Sequence, residues 1–226
     1  LAKGVKDVSF VNGKPYLAVK KRGKYSKFLS VSFALLCTHG RFGEDGGLQG
    51  ILDSCHIPYS SSNSISCAVC MDKIFMKDVL ISRKIPTVKS YPLNYKDYLL
   101  NKEKVINEIE REIKYPLILK PARLGSSIGI RVCKTALDLD EAVNFCAKFD
   151  DRILVEKYLS NIDEYNCACV HMNKDVVISD VQKVGKTSEV YSFEEKYLKT
   201  SFKNEEKIDK NLKKQIKNLT NRVYHI

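Results

Sequence analysis

The segment from Leu117 to Ile130 constrains the fold of this chain more than any other stretch of the sequence. A short apolar run, Leu117-Ile-Leu119, predicts a buried strand that carries Lys120 at its end. Five residues later comes Gly125-Ser-Ser-Ile-Gly129, in which the glycines allow positive φ and a close approach of the backbone to a ligand. Consecutive N–H groups and hydroxyls in such a loop form a concavity that binds anions. Because Ile128 to Val132 again favours a strand, we predict a β-hairpin whose loop covers the phosphates of a nucleotide.

This loop is not a P-loop of the Walker type. That motif needs Lys-Ser or Lys-Thr directly after its second conserved glycine, and a helix beyond. Here Gly129 is followed by Ile130 and by a predicted strand. When the loop is considered alone, a plain hairpin turn remains the alternative for Ser126 and Ser127.

The overall composition excludes several classes of protein. A chain of 226 residues is long enough for one large domain or for two to three small lobes with a sizeable core. No apolar run approaches the roughly 20 residues of a membrane span, and the first residues lack the apolar region of a signal peptide. The eight cysteines are scattered without the spacing of a disulfide framework, which favours a reducing, cytoplasmic location.

Cys67 and Cys70 form a CxxC pair, which raises the question of zinc. A structural zinc site has four ligands, and the sequence contains no second CxxC pair and no paired histidines. We therefore predict two small apolar side chains on a helix, and no metal site at this pair.

The net charge of +11 makes nucleic-acid binding an alternative from a different functional class. In the tail, apolar residues recur every three or four positions and predict an amphipathic helix with a solvated basic face. These residues are Ile208, Leu212, Ile216, Leu219 and Val223. The sequence shows no aromatic and basic platform of the RNA-binding kind. We expect the charge to serve solubility and the attraction of ATP and carboxylates, with neither nucleic acid nor membrane as a partner.

Hydrophobic periodicity and turn signals predict the remaining elements. The predicted strands are a hairpin over Val5–Val19 around Asn12-Gly13, a buried strand Ser30–Cys37, and the strands Arg152–Glu156, Glu164–His171 and Val176–Gln182. The predicted helices are Glu44–Cys55, Ser66–Ser82 and one that begins at Asp138 with Leu139, Val143 and Cys146 facing inward. The serine-rich stretch after Ile57-Pro58-Tyr59 predicts a domain boundary.

Three further segments accompany the glycine-serine loop, namely His39-Gly-Arg-Phe-Gly-Glu-Asp-Gly46, Met71-Asp-Lys73 and Glu194-Glu-Lys-Tyr197. Together with Leu154-Val-Glu-Lys-Tyr-Leu159, they resemble in order and distance the motifs of the D-alanine–D-alanine ligase family of the ATP-grasp superfamily. The resemblance extends from about Phe33 to Tyr197.

The resemblance implies an α/β (α+β) ATP-grasp fold, with mixed sheets in three lobes and the nucleotide between the central and C-terminal lobes. The expected division is a remnant of the N-terminal domain at 1–61, the central ATP-grasp lobe at 62–157 and part of the C-terminal lobe at 158–226.

The resemblance also implies which residues bind ATP. They are Lys73, Lys120, Ser126, Ser127, Glu156, Lys157, Tyr158, Leu159 and Glu164. In the family, the two lysines hold the α and β phosphates and the serines cap the phosphates or the transferring group. The segment 156–159 binds adenine and the last glutamate binds the ribose hydroxyls. Magnesium is the expected metal cofactor, although we find no residues in this sequence that match its ligands.

A second group of residues is expected to act on the amino acids. The resemblance implies that His39 orients the first D-alanine or its acyl phosphate, with Glu44 beside it. For Glu44, a carboxylate favoured by the dipole at a helix start is the alternative. Lys196 and Tyr197 match a mobile loop that closes over the site, where Tyr197 bonds Ser126 and Lys196 reaches toward phosphate. The expected reaction is ATP-dependent ligation of two D-alanines through an acyl phosphate, for peptidoglycan synthesis.

Two segments of the family do not occur among these residues. One is a glycine-rich first strand with a glutamate that orients the first amino acid. The other is an Arg-x-Asp strand with a Glu-x-Asn pair, which binds two magnesium ions. We therefore expect an incomplete chain or a degenerate relative that does not ligate by itself.

Three further points stay open at this stage. A D-alanine–D-serine ligase is an alternative, because Glu194 to Ser201 also resembles the loop of such enzymes. A non-catalytic ATP-binding relative is the other. A homodimer is implied by the family only.

Overall fold

A computed structural model of the chain describes residues 8–21, 24–184 and 208–226. The chain divides into two compact units, Leu1–Asp72 and Lys73–Ile226. The finer division into three lobes at 1–61, 62–157 and 158–226 stays a prediction.

The first unit contains a three-stranded antiparallel sheet in the order β1-β2-β3 and two helices. Its elements are β1 Val8–Val11, β2 Lys14–Lys21, β3 Lys24–Ser30, α1 Gly47–Ser54 and α2 Ser64–Met71. Val11 pairs with Lys14 across Asn12-Gly13, and Gly13 has a φ of +69°. The predicted hairpin is therefore confirmed, with glycine at a left-handed turn position.

The predicted buried strand Ser30–Cys37 is wrong. The described residues 31–37 lie outside any strand. Ala34 forms an isolated bridge with Tyr59, and the N–H of Val31 donates to the carbonyl of Pro15 at 2.9 Å. Phe33 and Leu35 are 54% and 74% exposed. The apolar composition suggested burial on both faces, but a strand needs a continuous ladder of backbone pairs, which residues 31–37 do not form. The small buried core of this unit consists of Leu52, Cys55 and Ile57, and Val31, Ala34 and Leu36 pack against it.

The predicted helix Ser66–Ser82 is two helices. Asp72 leaves the helical conformation, with φ −88° and ψ 107°, and a second helix, α3, follows at Lys73–Ser82. The sequence has neither glycine nor proline here, so it carries no signal for the break. The break accompanies a tertiary contact, because the N–H of Lys73 donates to the carbonyl of Ala122 at 3.0 Å.

The second unit holds a four-stranded antiparallel sheet in the order β4-β7-β5-β6 and two two-stranded sheets, β8 with β11 and β9 with β10. After α3, its helices are α4 Tyr95–Leu100, α5 Lys102–Glu112, α6 Leu139–Cys146 and α7 Lys210–Tyr224. Its strands are β4 Ser90–Asn94, β5 Leu117–Pro121, β6 Arg131–Cys133, β7 Arg152–Lys157, β8 Glu164–Asn166, β9 Cys169–Met172, β10 Asp175–Ile178 and β11 Gln182–Val184. The two long strands predicted after β7 are thus four shorter ones, and the mixed α/β (α+β) class is confirmed.

The two faces of the four-stranded sheet have different roles. Leu117 and Leu119 point into the main core, where α5 and α6 pack and Leu139, Val143 and Cys146 are fully buried as predicted. Side chains alternate along a strand, so Lys120 lies on the opposite face. There α3 packs through Ile74 against Leu154 and Ala122. This second face carries the candidate site.

The predicted amphipathic tail helix is confirmed as α7. It packs on β9 and β10, and Lys213 and Lys217 both bind the carboxylate of Asp180, at 2.9 and 3.3 Å. None of the helices that the structure describes is both long and apolar enough to cross a lipid bilayer.

Candidate phosphate-binding site

Lys120 and Glu156 meet on the α3 face of the sheet because of the register between β5 and β7. Ile118 pairs with Glu156, and Lys120 pairs with Leu154, so Lys120 and Glu156 are diagonal neighbours on one face. The ammonium of Lys120 donates to Oε2 of Glu156 at 2.5 Å. The sequence predicted both residues for the site and not that they bind each other.

Lys77 is the residue that the sequence analysis missed. It lies one turn after Lys73 on α3, its side chain is only 7% exposed, and its ammonium donates to Oε1 of Glu156. The spacing was the available signal, since residues i and i+4 share a face of a helix. A lysine among apolar residues on the same face as Lys73 is therefore a candidate for the same site.

The two ammonium groups determine the charge of Glu156. Burial disfavours the charged carboxylate and by itself raises its pKa, but the charge and hydrogen bond of Lys120, followed by those of Lys77, outweigh burial. The pKa of Glu156 therefore lies below its ordinary value of 4.5. The cluster is one buried carboxylate between two lysine side chains, each of which binds its own oxygen of Glu156.

Lys73 lies at the base of the loop that follows β5. Its ammonium donates to the carbonyl oxygens of Pro121 at 3.1 Å and Ala122 at 3.4 Å, and also to that of Leu124. The predicted pair of cations, Lys73 and Lys120, is thus present where the strand ends and the loop begins.

The loop itself is a tight turn with unusual backbone angles. The N–H of Ile128 donates to the carbonyl of Gly125 at 3.1 Å, and the two central residues, Ser126 and Ser127, have φ of 52° and 58°. Positive φ at both central positions is the pattern of a type I′ turn, which glycine and asparagine normally supply. The predicted hairpin between β5 and β6 is confirmed. Strain at non-glycine residues of this kind is concentrated at ligand sites in proteins.

Gly129 ends the loop at a position that only glycine fits. Its φ is +75°, and a Cβ there would lie 2.7 Å from Cγ of Pro121 and 2.9 Å from a ring carbon of Phe149. Its carbonyl accepts a hydrogen bond from the thiol of Cys146 at 3.0 Å. The far end of the loop is therefore packed down on the end of α6.

The other end of the loop, at Arg123, is held by residues that directly follow α6. Asp150 accepts from the N–H of Arg123 at 2.8 Å and from its guanidinium, and Arg123 also binds Asp151 at 2.7 Å. Burial alone raises the pKa of Asp150, but the Arg123 guanidinium and the N–H groups of Arg152 and Arg123 hold it below the ordinary value of 3.8. Residues 146–151, which we name the loop clamp, thus fix both ends of the loop.

The predicted adenine segment, 156–159, begins within β7, which ends at Lys157. The ammonium of Lys157 donates to the carbonyls of Lys114 and Tyr115, at 3.0 and 2.7 Å. The backbone N–H of Lys157 donates to the carbonyl of Lys89. The N–H of Tyr158 donates to the carbonyl of Pro116 at 3.0 Å. These two N–H groups are engaged, whereas the side chain of Leu159 is 45% exposed. The predicted ribose ligand, Glu164, opens β8 and pairs in register with Val184.

His39 and Glu44 belong to the first unit, where they close one loop. Nδ1 of His39 lies 3.9 Å from Oε1 of Glu44, and both side chains are well exposed. Oε2 of Glu44 accepts from the N–H of Gly40 at 2.6 Å. The alternative of a helix-start carboxylate does not fit, since α1 begins at Gly47 and Asp45 accepts the Gly47 N–H.

Lys196, Tyr197 and the rest of the predicted closing loop lie outside the described residues, and their roles stay predictions. The predicted CxxC pair lies on α2, as expected, and all eight cysteines of the chain are free.

The described residues suit phosphate and do not suit a divalent metal. Around the loop lie ammonium groups, hydroxyls and backbone N–H groups, which bind anions. Glu156, the carboxylate beside Lys120, already binds two lysines. In the described ranges, no group of three or more His, Cys, Asp or Glu side chains is arranged to hold a metal ion. Magnesium therefore enters no step that we derive for these residues.

Comparisons with known proteins give a consistent result. Residues 79–226 match the family described as D-ala D-ala ligase C-terminus. A D-alanine–D-alanine ligase of Thermosipho africanus is 34% identical over 204 residues, which is 88% of this chain and 54% of the relative. One from Caldicellulosiruptor bescii is 33% identical over 210 residues, 92% of this chain and 57% of the relative. The chain thus spans about half the length of the curated relatives it matches.

Two solved structures share the fold over nearly the whole chain. The VanG D-Ala:D-Ser ligase from Enterococcus faecalis has a TM-score of 0.81 at 25% identity, and the likeness covers 99% of this chain and 63% of that one. The D-alanine–D-alanine ligase from Helicobacter pylori has a TM-score of 0.76 at 22% identity, covering 99% and 65%.

Proposed function

Because this chain belongs to the family of the D-Ala D-Ala ligase C-terminus, we propose that its protein joins two D-alanines in a reaction driven by ATP. The ATP-grasp fold, which the sequence predicted, is the fold of the ligases that its structure resembles. The observation that carries the proposal is the position of two cations at the base of the 125–129 loop, Lys120 on β5 and Lys73 on α3.

The chemistry explains why cations are needed there. The carboxylate of the first D-alanine attacks the γ-phosphate of ATP, which gives an acyl phosphate and ADP. The amine of the second D-alanine then attacks the acyl carbon, inorganic phosphate leaves, and the nitrogen loses a proton. Negative charge builds up on the phosphate oxygens in the first step, and fixed positive groups stabilise it.

We assign the roles in ATP binding as follows. Lys120 and Lys73 bind phosphate oxygens, and the strained turn presents the hydroxyls and N–H groups of Ser126 and Ser127 to the same oxygens. Adenine lies against the segment 156–159. Its contacts are expected through carbonyl groups and Leu159, because the N–H groups of Lys157 and Tyr158 already bind carbonyls. Glu164 takes the ribose hydroxyls.

The residues for the amino acids are also proposals. His39 and Glu44 orient the first D-alanine, and Lys196 with Tyr197 closes the site during the reaction. Magnesium is part of the proposed reaction of the whole protein. A cytoplasmic location fits a protein whose eight cysteines are all free.

A D-alanine–D-serine ligase is the second candidate. It is favoured by the likeness to the VanG D-Ala:D-Ser ligase, at a TM-score of 0.81. The two candidates differ only in the amine that attacks the acyl phosphate, so the proposed ATP site is common to both.

The test is ADP release by the protein expressed from the gene that contains this sequence. We expect release to require D-alanine and the product to be the D-alanine dipeptide, identified by mass spectrometry. An equimolar mixture of D-alanine and D-serine separates the two ligases by the product that dominates. ATP binding without any amino-acid-dependent ADP release would contradict both and would indicate a non-catalytic relative.

A further inference from the structure

The buried carboxylate of Glu156 has two lysine partners that differ in their access to solvent. Lys77 binds Oε1 and Lys120 binds Oε2, so each ammonium has its own oxygen. The side chain of Lys77 is 7% exposed and that of Lys120 is 27% exposed. Lys77 is enclosed between α3 and the sheet, whereas Lys120 ends the strand that leads into the 125–129 loop.

Moving Lys120 to a phosphate changes the surroundings of Glu156. Glu156 is 8% exposed, and a carboxylate at that depth is costly when it is left without a partner. If Lys77 stays in place, Glu156 keeps one charged partner after Lys120 has turned away. Without Lys77, the same movement would leave a buried, unpaired charge, so Glu156 would compete with the phosphate for Lys120.

We infer that Lys77 is a positioning residue that stays bound to Glu156 and thereby lets Lys120 exchange its carboxylate partner for a phosphate of ATP. This inference deepens the proposed function and rests on it. Lys77 touches no phosphate in this arrangement. It acts through Glu156, which serves as the resting counterion of Lys120.

If Lys120 exchanges partners in this way, the effect of Lys77→Met on ATP binding should depend on whether Glu156 carries a carboxylate. If Lys77 contributed only its positive charge, the effect would not depend on Glu156. In Lys77→Met, we expect the dissociation constant of ATP to rise by about tenfold, because Glu156 then competes with the phosphate for Lys120. A tenfold rise corresponds to about 1.4 kcal/mol of binding free energy. In a Glu156→Gln background no carboxylate can be stranded. There the same Lys77→Met change should weaken ATP binding by less than about threefold.

The experiment is a double-mutant cycle measured by titration calorimetry on the protein expressed from the gene that contains this sequence. The four proteins are the unaltered chain, Lys77→Met, Glu156→Gln and the double variant, at one ionic strength. Lys104→Met, an exposed lysine on α5, is the matched control and should change binding by less than twofold. Equal losses from Lys77→Met in both backgrounds would overturn the inference, because Lys77 would then act only as an independent charge.

A measurement on the unaltered chain covers the case in which a variant fails to fold. Acetylation with an amine-reactive reagent is followed by peptide mass spectrometry, with and without saturating ATP. We expect ATP to lower the modification of Lys120 by at least about fivefold, because ATP covers it, and to leave that of Lys77 low and unchanged. Protection of Lys77 in place of Lys120 would overturn the inference. Failure of the unaltered protein from this gene to bind ATP would instead contradict the proposed function from which the inference starts.

Discussion

At the scale of single residues, the two lysines on Glu156 are expected to contribute differently to stability. Breaking a buried ion pair costs about 3 kcal/mol or more, and this cost falls toward the roughly 0 to 1 kcal/mol of exposed pairs as the removed side chain becomes more exposed, which separates the part-exposed Lys120 from the buried Lys77. We therefore expect Lys77→Met to lower the free energy of unfolding by about 3 kcal/mol and Lys120→Met by about 1 kcal/mol. Urea unfolding of both variants, with Lys104→Met as the control, measures the difference. Equal losses would show that burial does not separate the two lysines.

Ser127 allows strain and ligand binding to be separated at one position. Its φ of 58° is left-handed, which costs a non-glycine residue about 1 kcal/mol. Ser127→Gly removes that strain but gives the unfolded chain more freedom, so we expect stability to change by less than about 1 kcal/mol. Both Ser127→Gly and Ser127→Ala lack the hydroxyl and should weaken ATP binding by a similar factor. If Ser127→Gly bound ATP as tightly as the unaltered protein does, the Ser127 hydroxyl would have no role at the phosphates.

At the scale of elements, the loop clamp is expected to stabilise the site through one carboxylate. Asp150 is buried and receives N–H and guanidinium donors from Arg123, while Asp151 is half-exposed and its carboxylate binds the guanidinium of Arg123. Hydrogen bonds to a charged group contribute about 1.5 to 3 kcal/mol. We expect Asp150→Asn to lower the free energy of unfolding by about 2 kcal/mol, and Asp151→Asn, its matched control, by less than about 1 kcal/mol.

The pKa of Asp150 gives this prediction a pH dependence. Because the pKa is lower in the folded chain than the ordinary 3.8, the contribution is present above that value and is lost as pH falls through the folded pKa. Below about pH 4, the difference in the free energy of unfolding between Asp150→Asn and the unaltered chain should therefore become smaller. A gap that stays constant from pH 7 to pH 3 would assign the loss to packing.

The elements also show what the sequence could and could not predict. The hairpin around the glycine-serine loop was predictable, because an apolar strand, small turn residues and a second strand are local signals. The inward face of α6 was predictable from its period. The break at Asp72 was not, since it accompanies the contact of Lys73 with Ala122, which lies far away in sequence. Lys77 was missed for a related reason, as its partner Glu156 is on another element.

At the scale of the whole molecule, the net charge of +11 did not indicate where the functional cations lie. Lys213 and Lys217 bind an exposed carboxylate on the surface of the second unit, whereas Lys77 is enclosed. Composition counts these residues alike. Burial distinguishes them, and burial depends on which faces of α3 and the sheet meet. The sequence therefore predicted the chemistry of the site from its motifs and left the pairing within it to the fold.

The second unit as a whole should lose stability in mildly alkaline solution. Burial raises the pKa of the Cys133 and Cys146 thiols to about 12, well above the ordinary value of 9.0. The unfolded chain releases these protons near pH 9 and the folded chain does not, so their contribution is present below pH 9 and falls as pH rises toward 12. Each thiol makes the free energy of unfolding fall by up to about 1.4 kcal/mol per pH unit in that range.

Urea unfolding at pH 8 and at pH 10 measures this fall in the free energy of unfolding. Cys146→Ala should remove the contribution of one of the two thiols, which is about half of what they contribute together. Cys37→Ala, at an exposed cysteine, is the control and should leave the pH dependence unchanged. Cys146→Ala also removes the thiol that binds the carbonyl of Gly129, so it is expected to loosen the far end of the loop at every pH. If Cys146→Ala is less stable than the unaltered chain at pH 8, the lost hydrogen bond to Gly129 accounts for that difference. If its free energy of unfolding also falls less between pH 8 and pH 10, the lost thiol ionisation accounts for the shallower fall. An unchanged slope would mean that the Cys146 thiol ionises alike in the folded and unfolded chain.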